Sequence, residues 1–192
     1  YPNVVLVMTG GEPLLQDNIS PFMQRQLQNF GAVQVESNGI PDTLVPEGIT
    51  LVCSPKCIEK NGVALKYLAP SKTILQRADC LKFVMTAEDG NPYNTVPDWA
   101  LEWKRGNPTK EIYVSPMNVY NDFPQKIKLL RSEKQGNITL KERSTVDEVI
   151  NFFEPGLLNM EQVAKNHAYV GQYCIENGLR MNMQMHLFAN LA

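Results

Sequence analysis

Thr9-Gly10-Gly11-Glu12-Pro13 follows directly on the apolar run Val4-Val5-Leu6-Val7-Met8. A strand that ends in two glycines and a carboxylate is an arrangement that builds sites. The glycines carry no side-chain bulk, so backbone amides and carbonyls can approach a ligand closely. Glu12 offers an acceptor to a cationic group, and Pro13 stiffens the exit. The same form recurs along the chain. Glu36-Ser37-Asn38-Gly39 follows the run Val33–Glu36, Ser54-Pro55-Lys56 follows Ile49–Ser54, and Ser115-Pro116-Met117-Asn118 follows Ile112–Ser115. Taken singly, Asn-Gly is a turn and X-Pro breaks a strand. Parallel strands would bring all four clusters to one rim, where open α/β sheets and barrels bind their ligands.

The elements that must position them are short. Val4–Met8, Val33–Glu36, Ile49–Ser54, Cys80–Met85 and Ile112–Ser115 read as strands of nearly continuous apolar character, the signature of a parallel sheet covered on both faces. Ser20 as N-cap, Pro21 in the first helical position and Gly31 past the end frame a helix between the first two. Thr95–Lys104 reads as a helix between the fourth and fifth. Within 57–78 the pattern is ambiguous, with Lys66–Leu68 and Thr73–Arg77 as short candidates. From 119 to 158 it loosens into an expected rim insertion, with a turn at Gln135-Gly136-Asn137 and a capping box, Thr145 with Glu148, opening a helix to Phe153. Asn159 with Gln162 opens a long helix to Asn177, closed by Gly178. Val163, Val170 and Cys174 share its buried stripe, with His167 partly buried and Gly171 permitting close packing. A last strand, Leu179–Met185, leads to His186 and the closing residues.

The 192 residues are 43% hydrophobic, enough for one sizeable core and hence one domain. A net charge of −2 gives no electrostatic footprint for nucleic acid or an anionic membrane surface. No apolar run approaches the ~20 residues that span a bilayer. Four cysteines, at 53, 57, 80 and 174, are too few and too irregular for a disulfide framework, which points to the cytosol. Cys53-x3-Cys57 does not continue into a cluster motif, because Lys60 stands where a third thiolate would fall. Cys53 and Cys80 lie in apolar runs, where buried free thiols are common.

Thr9-Gly10-Gly11-Glu12-Pro13 resembles the GGEP motif of radical S-adenosylmethionine enzymes. More narrowly, the chain resembles the 7-carboxy-7-deazaguanine synthases in Val35-Glu36-Ser37-Asn38-Gly39, Val52-Cys53-Ser54-Pro55-Lys56, Ser115-Pro116-Met117 and the tail Leu179–His186, which is similar to that family's terminal Gln-x-His segment. The resemblance implies a partial (β/α)6 barrel. It implies that Gly11, Ser37, Ser54, Pro55, Lys56, Ser115, Pro116, Met117 and Asn118 line an S-adenosylmethionine pocket, with Gly10 and Glu12 at its methionine end. Thr9 would face a pterin substrate, and the carboxylate of Ala192 would accept hydrogen bonds from the pterin's amino-pyrimidine edge. Gln184 and His186 would lie near the ligands.

The implied reaction converts 6-carboxy-5,6,7,8-tetrahydropterin to 7-carboxy-7-deazaguanine with loss of ammonia, on the path to queuosine and other 7-deazapurines. It implies a [4Fe–4S] cluster, Mg2+, a flavodoxin or ferredoxin as electron donor, and a homodimer. The chain departs from the family in lacking a C-x3-C-x2-C run, the thiolate set that holds such a cluster. Together with a start at Tyr1 only three residues ahead of a strand, this leads to the expectation of a truncated barrel that lacks its first strand and cluster loop and is inactive alone. A glycyl-radical-enzyme activase and a non-catalytic S-adenosylmethionine- or nucleotide-binding barrel are the alternatives.

Overall fold

The computed structural model describes residues 1–120, 132–135, 138–141 and 158–184. Its main element is a six-stranded sheet of β1 (Val5–Met8), β2 (Ala32–Ser37), β3 (Ile49–Cys53), β6 (Cys80–Met85), β7 (Glu111–Pro116) and β10 (Arg180–Met181), in that spatial order. Every pairing in it is parallel. Parallel neighbours in chain order need crossovers of one hand, so the connecting helices fall on one face. These are α1 (Ile19–Gln26), α2 (Lys72–Arg77), α3 (Asp98–Gly106) and α4 (Met160–Asn177). The register aligns Val35, Leu51, Leu81, Phe83, Ile112 and Val114 toward the core, where they join Met23 of α1, Ile74 of α2, Ala100 of α3 and Val170 of α4.

Cover on both faces, which their composition suggests, holds only at the ends of β3 and β7, where Leu51–Cys53 and Val114–Pro116 are buried throughout. β2 and β6 alternate strictly between buried and half-buried positions, and Val5 and Val7 of β1 are exposed. The face without helices carries Gln34, Glu36, Thr50, Lys82, Glu111 and Tyr113. Its charges pair: Lys82 Nζ lies 3.0 Å from each carboxylate oxygen of Glu36, reaching from β6 across β3 to β2.

Several local expectations change. α1 begins at Ile19 behind Asn18 (φ 61°), so Ser20 lies inside the helix and its hydroxyl donates to the Leu44 carbonyl instead of capping. Pro21 then occupies the third helical position, where no N–H has an intrahelical partner, and its ring costs nothing. The ambiguous 57–78 stretch holds a hairpin, β4 (Cys57–Lys60) and β5 (Val63–Tyr67), whose Asn61 and Gly62 both have positive φ, the geometry of a tight hairpin turn. Tyr93 anchors it: the hydroxyl accepts from the Cys57 amide at 3.2 Å and donates to Glu59 at 3.1 Å. α3 starts later than expected, behind Pro97, after a 3-10 turn at Pro92–Asn94. The last strand is shorter than expected, Arg180–Met181; the Asn182 amide still reaches the Val114 carbonyl at 2.8 Å, and its side chain donates to Ser115. The long helix runs as expected from Asn159, whose side chain accepts from the Gln162 amide at 3.1 Å, to Asn177.

The chain divides into two compact units, Tyr1–Met117 with Lys165–Met183, and Asn118–Ala164 with Gln184–Ala192. The described part of the second holds the antiparallel pair β8 (Ser132–Gln135) and β9 (Ile138–Lys141), with Gln135 opposite Ile138, and a bridge between Tyr120 and Leu158. The capping box at Thr145 and its helix to Phe153 lie outside the described residues. Among the described residues no helix is long and apolar enough to cross a membrane.

Phe83 is the largest fully buried side chain among the described residues, with Tyr67 edge-on to it and Trp99 tilted against it. Phe83→Ala is expected to cost about 3–5 kcal/mol, read by urea unfolding. A loss below about 1 kcal/mol, the range of surface substitutions, would show that the sheet centre is not the packed core.

Candidate functional site

The parallel order brings the carboxyl ends of β1, β2, β3, β6 and β7 to one edge of the sheet. Thr9, Gly10, Gly11 and Glu12 follow β1; Ser37, Asn38 and Gly39 close β2; Ser54, Pro55 and Lys56 follow β3; Ser115, Pro116 and Met117 close β7. All of these residues therefore sit on one rim, with Asn118 following in the chain. His186 and Ala192 lie outside the described residues. Gln184 is described, and its side-chain oxygen accepts a hydrogen bond from Asn118 Nδ2.

Gly10 and Gly11 have φ of +87° and +54°, a left-handed pair that side chains resist. A methyl group on either would meet no heavy atom within 4 Å, so their backbone faces open space. Gly39 differs. An added Cβ there would fall 2.6 Å from Pro70 Cβ and 2.8 Å from Cys53 Sγ, so this glycine is required by close packing behind the rim.

Glu12 does more than offer a free acceptor. One carboxylate oxygen accepts from the Leu14 amide at 3.1 Å, capping the 3-10 turn Pro13–Leu15, and the other accepts from the Asn38 amide at 2.7 Å. One side chain thus ties the β1 loop to the β2 loop, while the remaining lone pairs stay available to a cation. Ser37 accepts from the Gly39 amide at 3.0 Å, and the β3 end is drawn in by a 2.7 Å bond from the Ser54 amide to the Ser37 carbonyl.

Lys56 donates to the buried Ser54 hydroxyl at 2.7 Å. Partial burial lowers its pKa from the usual lysine value; Glu36 opposes that shift and Lys82 reinforces it. Lys56, Glu36, Lys82 and Glu12 thus share one field at the rim. Ser115, 5% exposed, accepts from Asn182 Nδ2 at 2.9 Å, which leaves its own hydrogen free to donate.

Sequence reasoning passed over Lys82, Asn166 and Asn182. Lys82 was signalled by a lone charge inside the apolar run Leu81-Lys82-Phe83-Val84. Asn166 and Asn182 had no local signal, because their partners lie 80 and 67 positions away.

Among the described residues no three His, Cys, Asp or Glu side chains gather to hold a metal. The four cysteines are spread over β3, β4, β6 and α4. Burial pushes Cys53 up to about 12, with Glu12 adding to it, and Cys80 up to about 11, with Asp79 adding to it. Protonated, dispersed thiols do not fit an iron–sulfur cluster.

Those raised values make a pH prediction. Native Cys53 and Cys80 keep protons that the unfolded chain releases near 9.0, so the stability they contribute is complete below that pH and is lost as pH rises toward about 11 and 12. Unfolding free energy measured in urea is expected to fall through this window, and Cys53→Ser with Cys80→Ser to flatten the fall. A slope indifferent to both substitutions would contradict it.

No family model matches the chain. It is 33% identical over 119 residues to the 7-carboxy-7-deazaguanine synthase of Methanospirillum hungatei, covering 60% of this chain and 47% of that protein. It is 31% identical over 94 residues to the synthase of Rickettsia prowazekii, covering 49% and 37%, and 41% identical over 91 residues to that of Aquifex aeolicus, covering 43% and 36%. The crystal structure of QueE from Escherichia coli aligns with a TM-score of 0.49 and 16% identity, over 94% of this chain and 56% of that one. In each comparison of sequence the chain spans less than half the length of the relative it matches. Across that span the chain resembles the 7-carboxy-7-deazaguanine synthases, the family to which its rim motifs point.

Proposed function

We propose that the whole protein is a radical S-adenosylmethionine lyase that forms 7-carboxy-7-deazaguanine from 6-carboxy-5,6,7,8-tetrahydropterin, and that this chain supplies the wall binding the sulfonium nucleoside and the pterin. The observation that carries the reading is the open left-handed Gly10-Gly11 pair, set beside a Glu12 carboxylate already fixed by the Leu14 and Asn38 amides. It is supported by the sequence relation to the synthases over part of their length. The singly wound parallel sheet with helices on one face is what a partial barrel of this superfamily requires.

When bound, S-adenosylmethionine would supply the hydrogen-abstracting chemistry. The residues of this chain bind and orient. Glu12 accepts from the methionine ammonium through lone pairs its two amide bonds leave over. Gly10 and Gly11 let the backbone approach the same moiety. The Ser115 hydroxyl, with Asn182 donating to its oxygen, turns its hydrogen toward the nucleoside. Lys56, braced on Ser54, places a cation at the mouth, and Thr9 faces the pterin. The four thiols here do not fit the cluster, and no metal-binding group lies among the described residues, so neither electron delivery nor Mg2+ binding is assigned to them.

The test is turnover by the whole protein, followed as pterin consumption and product mass. Lys56→Met is expected to raise KM for S-adenosylmethionine about tenfold with little change in kcat, the pattern of a lost uniform binding contact. A whole protein that consumes no pterin, or a Lys56→Met variant with unchanged KM, would overturn the assignment or the role of Lys56 respectively.

A further inference from the structure

Asn166 is a polar residue with no exposed surface, set in the apolar stripe of α4. Its Oδ1 accepts from the Ala87 amide at 2.9 Å and lies 3.3 Å from the Thr86 hydroxyl, and its Nδ2 donates to the Met117 carbonyl at 2.8 Å. The amide orientation is determined by these partners. Turned over, the NH2 group would face the Ala87 N–H, donor against donor. A single side chain therefore joins the loop after β6 to the loop after β7.

The position explains why such a residue is needed. β7 pairs with β6 as far as Pro116, and the Met117 amide makes one more bond, 2.7 Å to the Met85 carbonyl. On its other side β10 has already ended, with the Asn182 amide bonded to Val114. The Met117 carbonyl has thus passed beyond the ladder on both sides, and Asn166 takes the place of a strand partner. A partly buried carbonyl without a partner is unfavourable, and one left mobile would let the rim segment drift.

We infer that Asn166 is a positioning residue of the proposed nucleoside site: it holds the backbone of Ser115–Met117 in the conformation that S-adenosylmethionine meets. The inference rests on the function proposed above and extends it to a helix that contributes no ligand contact in that reading. It predicts a separation of effects. Losing the Met117 bond weakens ligand binding and leaves the chemical step alone, because the reacting atoms do not touch Asn166.

Asn166→Asp keeps the acceptors for Ala87 and Thr86 but replaces the donor to Met117 with a carboxylate oxygen, which repels the carbonyl. In the whole protein this variant is expected to raise KM and the equilibrium Kd for S-adenosylmethionine about tenfold, with kcat at saturation within about twofold of wild type. Thr86→Val, a milder change that removes one of the two donors to Oδ1, is expected to raise Kd about threefold and keeps the test alive if the aspartate variant does not fold. If both Asn166→Asp and Thr86→Val bind S-adenosylmethionine as wild type does, the inference is overturned, whatever happens to melting temperature. If wild type itself binds none, the proposed function fails. Hydrogen exchange at the Met117 amide then decides the clamp separately: faster exchange in Asn166→Asp supports it and unchanged exchange overturns it.

Discussion

The hand of the parallel crossover sorts every residue of this sheet. Six strands lie side by side in the order of the chain, and each return must pass on the same side of the sheet. Helices then accumulate on one face, and the carboxyl ends of the strands accumulate on one edge. Everything chemical follows from that sorting. Core residues on β2, β3, β6 and β7 point to the helices, and alternate residues on the same strands point to a face that no helix covers. Glu36 and Lys82 belong to that second face, where a single charge would be costly and a pair 3.0 Å apart is acceptable.

Much of this was legible in the sequence, for a physical reason. The apolar run Cys80–Met85 has the same bounds as β6, because a short apolar run between breakers admits few other structures. The strand ends were legible because glycine, proline, serine and asparagine mark the points where a ladder stops. These punctuation residues mark all four rim clusters, at Thr9–Pro13, Glu36–Gly39, Ser54–Lys56 and Ser115–Asn118. What misled was the apolar continuity of Val4–Met8, which suggested cover on both faces. Composition reports that a residue tolerates burial, not that a layer exists to bury it. The Asn61-Gly62 hairpin was a missed local signal, since that dipeptide supplies the two positive φ values a tight turn needs. Ser20 shows the opposite failure. A good capping residue beside a good first-turn proline is overridden by Asn18, which adopts the left-handed conformation two residues earlier.

The illegible part is more instructive. Glu12, Lys82, Asn166 and Asn182 all join segments far apart in the chain, from 26 positions for Glu12 and Asn38 to 80 for Asn166 and Thr86. Nothing local distinguishes a bridging asparagine in an amphipathic helix from a solvated one. Its meaning comes from the register of strands it never joins. Glu12 lay within a recognised motif, and even there sequence gave only half its role. The motif suggested an acceptor for a ligand, whereas the fold shows a carboxylate already holding two loops.

Glu12 and Asn166 use one device at two places on the rim. Where the sheet ends, backbone amides and carbonyls lose their ladder partners, and each must find another or remain exposed to water. A side chain carrying two hydrogen-bonding atoms can satisfy groups from two loops at once and so set their spacing. Glu12 does this for donors on the β1 and β2 loops, Asn166 for a donor and an acceptor on the β6 and β7 loops. The chemistry of each cross-link matches its partners: a carboxylate, which only accepts, meets two amides, and a carboxamide, which does both, meets an amide and a carbonyl. Each cross-link sets the spacing of its two loops through bonds of the fold itself, so the entropy of ordering them is spent in folding.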